Sequence, residues 1–279
     1  MKTILIPVDF SETSANALEY AAELIKDIEV GRIILLKIFY KSIYEQLLPS
    51  ADFVQLSAAD IQEERDQISK QLKTLTDSLQ QKCNPSIRIQ TAVSELPLLR
   101  SIHQLTAEER PDLLIIGSDS PMLQAESYIG QQVIGIAKTS SIPVLIVPAG
   151  AAYQKIERAL VPCDFAMVSR LGILKGLHSP LGWLHPELMI LNIDPQQKHI
   201  SHEAEHAEML NELLEGYEYS IYYAEDQNKV QGILNFAKNN NVQLITALPG
   251  KYSFFYKFTH SSTTEALALN SSQPILILK

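Results

Sequence analysis

The chain of 279 residues carries 23 Lys and Arg against 32 Asp and Glu, a net charge of −9 at pH 7. That balance excludes nucleic acid or an anionic membrane as the expected main partner, because counterion release needs clustered cations and no Lys/Arg block occurs. A hydrophobic content of 46% with 20% charged residues suits a water-soluble protein able to bury a core in each of two domains, and no unbroken apolar run reaches membrane-spanning length.

The start, MKTILIPVDF, has one early lysine and a short apolar run, which predicts a buried strand and not a signal peptide. Cys83 and Cys163 fit no disulfide framework, so a reducing, cytoplasmic setting is expected. After strand 3–8, Ser11 is placed to cap a helix, with Glu12 in its first turn. Residues 14–28 then carry apolar residues at helical spacing. A strand over 32–40, a polar helix over 58–81, a strand over 86–93 and a short helix over 96–106 follow. DLLIIGS at 112–118 is a buried strand. A loop runs to Gly130, residues 131–140 are helical, and PVLIVP at 143–148 is the last strand of the half. Strands that read as continuous apolar runs, alternating with helices, predict an α/β protein with a parallel, doubly wound sheet and right-handed crossovers.

The order then repeats. Pro7-Val8-Asp9-Phe10 corresponds to Pro162-Cys163-Asp164-Phe165, an offset of 155, and AKTSSIPVLIVP corresponds to ALALNSSQPILILK at the end. Strands are expected at 158–163, 187–193, 217–224, 242–248 and 274–279, with helices near 167–178, 200–215, 228–239 and 262–270. Duplication on this scale predicts two similar domains, 1–149 and 155–279, joined by a short linker containing Gly150.

In an open parallel sheet, ligands bind beyond the carboxyl ends of the strands, where strand order reverses. Asp9 lies there, and so does the loop from Gly117 to Gly130. A Gly-bounded loop entering a helix N-terminus suits phosphate, because free N–H groups and the helix dipole favour an anion.

With ILIPVDFSETSANALEYA, DLLIIGS, Gly130 and SIPVLIVP in place, the chain resembles a tandem universal stress protein across both halves. The resemblance implies a Rossmann-like, adenine nucleotide alpha hydrolase-like fold in each half: five parallel strands with helices on both faces. It implies an intrachain pseudo-dimer of the two domains through their last strands, and is compatible with further homo-oligomerisation. It also implies a role in stress response through binding, and brings in ATP, which many members bind through Gly, two residues, Gly, nine residues, Gly, then Ser or Thr.

Here Gly117 and Gly130 hold the outer glycine positions, whereas Ser120 and Gln131 depart from the pattern. Asp119 and Glu126 lie in the loop, and no Lys or Arg occurs between Gly117 and Lys138, so the charge opposes a polyphosphate. In the second half the matching stretch begins at Leu248. Neither Leu248 nor Lys251, at the glycine positions, is glycine, but the stretch brings Lys251, Lys257, His260, Ser261 and Ser262 to a helix start. Lys251, Ser261 and Ser262 are candidates to hold phosphate; the reading that Ser261 or Ser262 simply caps the helix is favoured over it. The aromatic run 252–258 packs in a core or interface, or offers a stacking surface.

Asp9 and Asp164, at the ends of the first strands, either accept from a base or ribose or close a turn on their own backbone. Cys163 is expected to be a buried thiol. His202-Glu203-Ala204-Glu205-His206 matches the zinc-protease pattern, with His199 three residues earlier. The predicted crossover helix and the lack of a downstream third ligand favour a solvated helix face, leaving zinc-responsive binding as a second alternative. No nucleophile or catalytic motif appears. The expectation is a non-enzymatic binding or sensing protein with degenerate phosphate loops, a weak ATPase remaining compatible. The alternative is a protein that binds ATP through one half only.

Overall fold

A computed structural model describes residues 1–40, 58–119, 129–163, 180–196, 203–247, 267 and 270–279. Ten strands form one sheet. They are β1 Lys2–Val8, β2 Val30–Ile38, β3 Arg88–Ser94, β4 Leu113–Ser118, β5 Val144–Pro148, β6 Arg158–Pro162, β7 Glu187–Ile193, β8 Tyr219–Ala224, β9 Leu244–Ala247 and β10 Ile275–Ile277. The described helices are α1 Glu12–Leu24, α2 Ala58–Lys82, α3 Leu98–Glu109, α4 Val133–Thr139, α5 Pro180–Leu184, α6 Glu203–Leu213 and α7 Lys229–Asn239.

The order across the sheet is β3-β2-β1-β4-β5-β10-β9-β6-β7-β8. Within each run of five the neighbours are parallel. The runs meet where β5 and β10 pair antiparallel, Ile146 opposite Ile275, Leu145 opposite Leu276 and Val144 opposite Ile277. The sequence predicts a five-stranded sheet per half; in the structure the two are joined into one. The reason is visible in the strands themselves. VLIVP and ILI are apolar with no charge to guard an edge, so each supplies the hydrogen-bonding partner the other lacks.

Alternation of side chains across the sheet divides the core in two. One face gathers Ile4, Ile6, Ile33, Leu35, Ile115 and Leu145 with α1 and α2, and continues into Ala159, Val161, Leu188 and Leu276. The other gathers Leu5, Ile34, Leu114 and Ile146 with α3 and α4, and continues into Leu160, Ile245, Ile275 and α7. α2 is polar over most of its surface, but Ile61, Ile68, Leu72, Leu75 and Leu79 form a single stripe against the first face.

Ser11 caps α1 as the sequence predicts, its hydroxyl accepting from the Ser14 N–H at 3.2 Å. α3 begins after Pro97, which disfavours helical backbone at Leu96, and stops at Arg110 in the left-handed region (φ 48). The predicted helix over 167–178 and most of that over 262–270 lie outside the described residues. α5 at Pro180–Leu184 is not marked in the sequence.

Residues 149–157 join β5 to β6 and are tied to α1. The Asn16 side-chain amide donates to the carbonyls of Pro148 (3.1 Å) and Ala151 (3.3 Å). The Tyr153 hydroxyl donates to Asp27, and its ring meets Tyr20 edge-on, 5.2 Å between centroids. Among the described residues no helix is long and apolar enough to cross a membrane.

Candidate functional site

The carboxyl ends of β1 and β4 lie side by side, and the chain turns from each into a short loop. Asp9 follows β1. Its Oδ1 accepts from the Ser11 N–H (3.1 Å) and the Ser11 hydroxyl (2.5 Å), closing the turn into α1. Its Oδ2 reaches across to accept from the Ile129 N–H at 3.2 Å. Both readings of Asp9 from the sequence involve acceptance. The structure shows it serving the protein's own backbone on both oxygens.

Between Asp9 and Ser11, Phe10 takes a left-handed backbone (φ 67), a conformation that costs a bulky residue and is held by its surroundings. The Lys37 ammonium, at the end of β2, lies 4.8 Å from the centre of the Phe10 ring, a cation–π contact. Burial pulls the Lys37 pKa below the usual lysine range; Asp9 and Glu64 act in the opposite sense by favouring its charge.

Asp119 follows β4, and its Oδ1 accepts from the Thr13 hydroxyl at 2.6 Å. The two glycines take their meaning from these neighbours. A methyl group on Gly117 would stand 2.5 Å from the Thr13 carbonyl oxygen, so glycine permits the first turn of α1 to lie directly on the end of β4. A methyl group on Gly130 would stand 2.5 Å from Asp119 Oδ2. The surface that glycine leaves bare at the start of the next helix is therefore covered by a carboxylate of the same loop.

Asp9, Gly117 and Gly130 are thus brought together at one crevice, with Asp119 between the two glycines. The helix they lead into opens as a 3₁₀ turn over Gly130–Gln132 and continues as α4, seven residues long and without a side-chain cap. The fit to a nucleotide triphosphate is poor. The Ile129 amide is taken by Asp9, and the Asp119 carboxylate lies against Gly130. A phosphate oxygen roughly 4 Å from one such carboxylate would meet about 4 kcal/mol of repulsion at an effective dielectric near 20.

Ser120 and the side chain of Gln131 lie outside the described residues. So do Asp164, Lys251, Ser261, Ser262, the aromatic run, His199, His202 and the side chain of His206. Among the described residues no group of three or more His, Cys, Asp and Glu is arranged to hold a metal ion. Cys163 follows β6 as a buried thiol, its N–H donating to Leu191 O at 2.8 Å.

Thr13 and Lys37 belong to no motif. The only signal for Lys37 is a cation interrupting the apolar run of RIILLKIFY after Arg32 has opened it; Thr13 gives none, since its partner is 106 residues away.

Three comparisons bear on this arrangement. The family model described as "Universal stress protein family" matches residues 1–148. No curated protein matches the sequence. Among solved structures, a universal stress protein from Archaeoglobus fulgidus DSM 4304 superposes with a TM-score of 0.69 at 18% identity, covering 99% of this chain and 98% of that one. A protein from Pseudomonas aeruginosa UCBPP-PA14 superposes with a TM-score of 0.61 at 14% identity, covering 100% and 93% respectively. At these identities the likeness is one of fold, and it extends over both halves.

Proposed function

Because the chain belongs to the universal stress protein family, we propose that it works as a tandem member that binds and senses without turning over a substrate, its first-half phosphate loop no longer taking a polyphosphate. The observation that carries this reading is the pair of carboxylates, one within the loop and one reaching it from the end of β1. Asp9 accepts the Ile129 N–H and Asp119 covers Gly130, so the positions that would receive phosphate oxygens already hold carboxylate oxygens. Loss of the middle glycine to Ser120 and of the terminal hydroxyl to Gln131 points the same way.

The two domains, 1–149 and 155–279, form a pseudo-dimer in this reading, supported by the antiparallel pairing of β5 with β10. The protein acts in the cytoplasm, in keeping with its two buried, unlinked thiols. Nucleotide, where bound, belongs to the second half. There Lys251, Ser261 and Ser262 supply a cation and hydroxyls, and no carboxylate occurs from Leu248 to Thr264.

Titration calorimetry of the whole chain with ATP, ADP, AMP and cyclic nucleotides tests this. No saturable heat is expected from the first half, so any binding should disappear in Lys251→Ala/Ser261→Ala. Tight ATP binding that survives that double substitution, or tight ATP binding accompanied by hydrolysis, would overturn the proposal.

A further inference from the structure

α4 is seven residues long, opens without a side-chain cap and buries Val133, Ile136 and Ala137. A helix this short is marginal by itself, so what meets its two ends decides how firmly it is held. Just before its first turn, Asp9 at the end of β1 accepts from the Ile129 N–H at 3.2 Å. At the other end the chain leaves helical backbone at Ser140 (ψ 137), whose N–H returns to the Ile136 carbonyl at 2.9 Å. The Ala137 carbonyl comes next, one of the last four that a helix cannot satisfy from within. Among the described residues no backbone N–H reaches it. The Lys279 ammonium donates to it at 2.5 Å, from 142 residues further along the chain.

Lys279 belongs to the second half. The Leu278 N–H donates to the carbonyl of Ala247, the last residue of β9, at 3.0 Å. The backbone beside Lys279 is thereby fixed to the strand that leads into the Leu248 stretch. β10 runs antiparallel to β5 with Ile277 opposite Val144, so its end lies beside the turn from α4 into β5. The Lys279 side chain is half-buried, and burial lowers its pKa below the usual lysine range. The helix dipole favours the placement: a carboxylate at the start, an ammonium at the end. The arrangement is one-sided. Ser140-Ser141-Ile142-Pro143 corresponds to Ser271-Ser272-Gln273-Pro274, which sets Pro148 where the second half has Lys279. The first half has no ammonium at that position to return the contact.

We infer that Lys279 is a strap by which the second half holds α4, and through α4 the Ile129–Gly130 end of the first-half crevice. The run from Ala247 through Leu278 and Lys279 to Ala137, and back along α4 to Gly130, then joins the head of the second-half loop to the crevice of the first half. Loosening the strap at one end of α4 is expected to be felt at the other.

Hydrogen exchange on the full chain, resolved by residue with NMR, tests this. Lys279→Met keeps the apolar stem and removes the ammonium. It should speed exchange of the Ile129, Gln132 and Ser140 amides about tenfold, and leave the amides of β1, β2 and α7 at wild-type rates. Lys279→Arg, which keeps a cation, should stay near the wild type. Unchanged rates at α4 in Lys279→Met, a rise shared by the whole chain, a rise at Ser140 that does not reach Ile129, or Lys279→Arg behaving as Lys279→Met would each overturn the inference.

Discussion

Two glycines that the sequence marks alike do different work. At Gly117 the obstacle to a side chain is the Thr13 carbonyl, part of the first turn of α1, and it yields only if the helix moves. At Gly130 the obstacle is the Asp119 carboxylate, the end of a side chain that can rotate at the cost of its bond from Thr13. Gly117→Ala should therefore destabilise by about 1–3 kcal/mol, as overpacking does. Gly130→Ala should cost less, and combining it with Asp119→Ala should give a non-additive, smaller total loss. Urea midpoints of these variants and of Asp119→Ala alone decide this; equal losses at the two glycines would contradict the contacts described. The glycines are legible in the sequence, but the role of each depends on which atom stands opposite, and spacing does not specify that.

At the scale of elements, the segment between β5 and β6 is held to α1 by two tyrosines. The pKa values of the Tyr20 and Tyr153 phenols are raised above the ordinary tyrosine value, chiefly by burial, and that of Tyr153 also by its bond to Asp27. A raised phenol pKa means the folded state prefers the neutral form. The stability it contributes is complete below the unfolded value near 10 and is lost progressively as pH rises beyond it. The melting temperature should accordingly fall between about pH 9 and about pH 11, and fall less in Tyr153→Phe, which keeps the ring contact with Tyr20. A flat profile through that window would show that the two rings do not clasp the linker. The strands were readable because a parallel strand covered on both faces is a continuous apolar run. The tether was not, because Asn16, Tyr20 and Asp27 meet residues 126 to 135 positions away.

At the scale of the molecule, both core faces run without a break across the β5–β10 junction, since buried residues from the first and last strands belong to the same clusters. The chain should therefore unfold in a single calorimetric transition with matching calorimetric and van't Hoff enthalpies. Leu276 is 1% exposed and paired with Leu145 at the centre of the junction. Leu276→Ala should lower that transition by about 2–5 kcal/mol. Two resolved transitions in the wild type would mean that the junction does not couple the halves.

The sequence alone determined the order of the strands, the described helices other than α5, the repeat, the cap at Ser11 and the crevice where Asp9, Gly117 and Gly130 would gather. Each of these follows from local periodicity, capping chemistry or the rule that parallel sheets expose their sites at the carboxyl ends of strands. Only the tertiary structure decided that the carboxylates of Asp9 and Asp119 meet the end of the loop at Ile129 and Gly130, that Lys37 faces Phe10, and that β3 is a terminal strand of the described sheet. Hydrogen-bond partners and strand neighbours are chosen by distance in space among groups far apart in the chain, and a pattern of residue types carries no record of that distance.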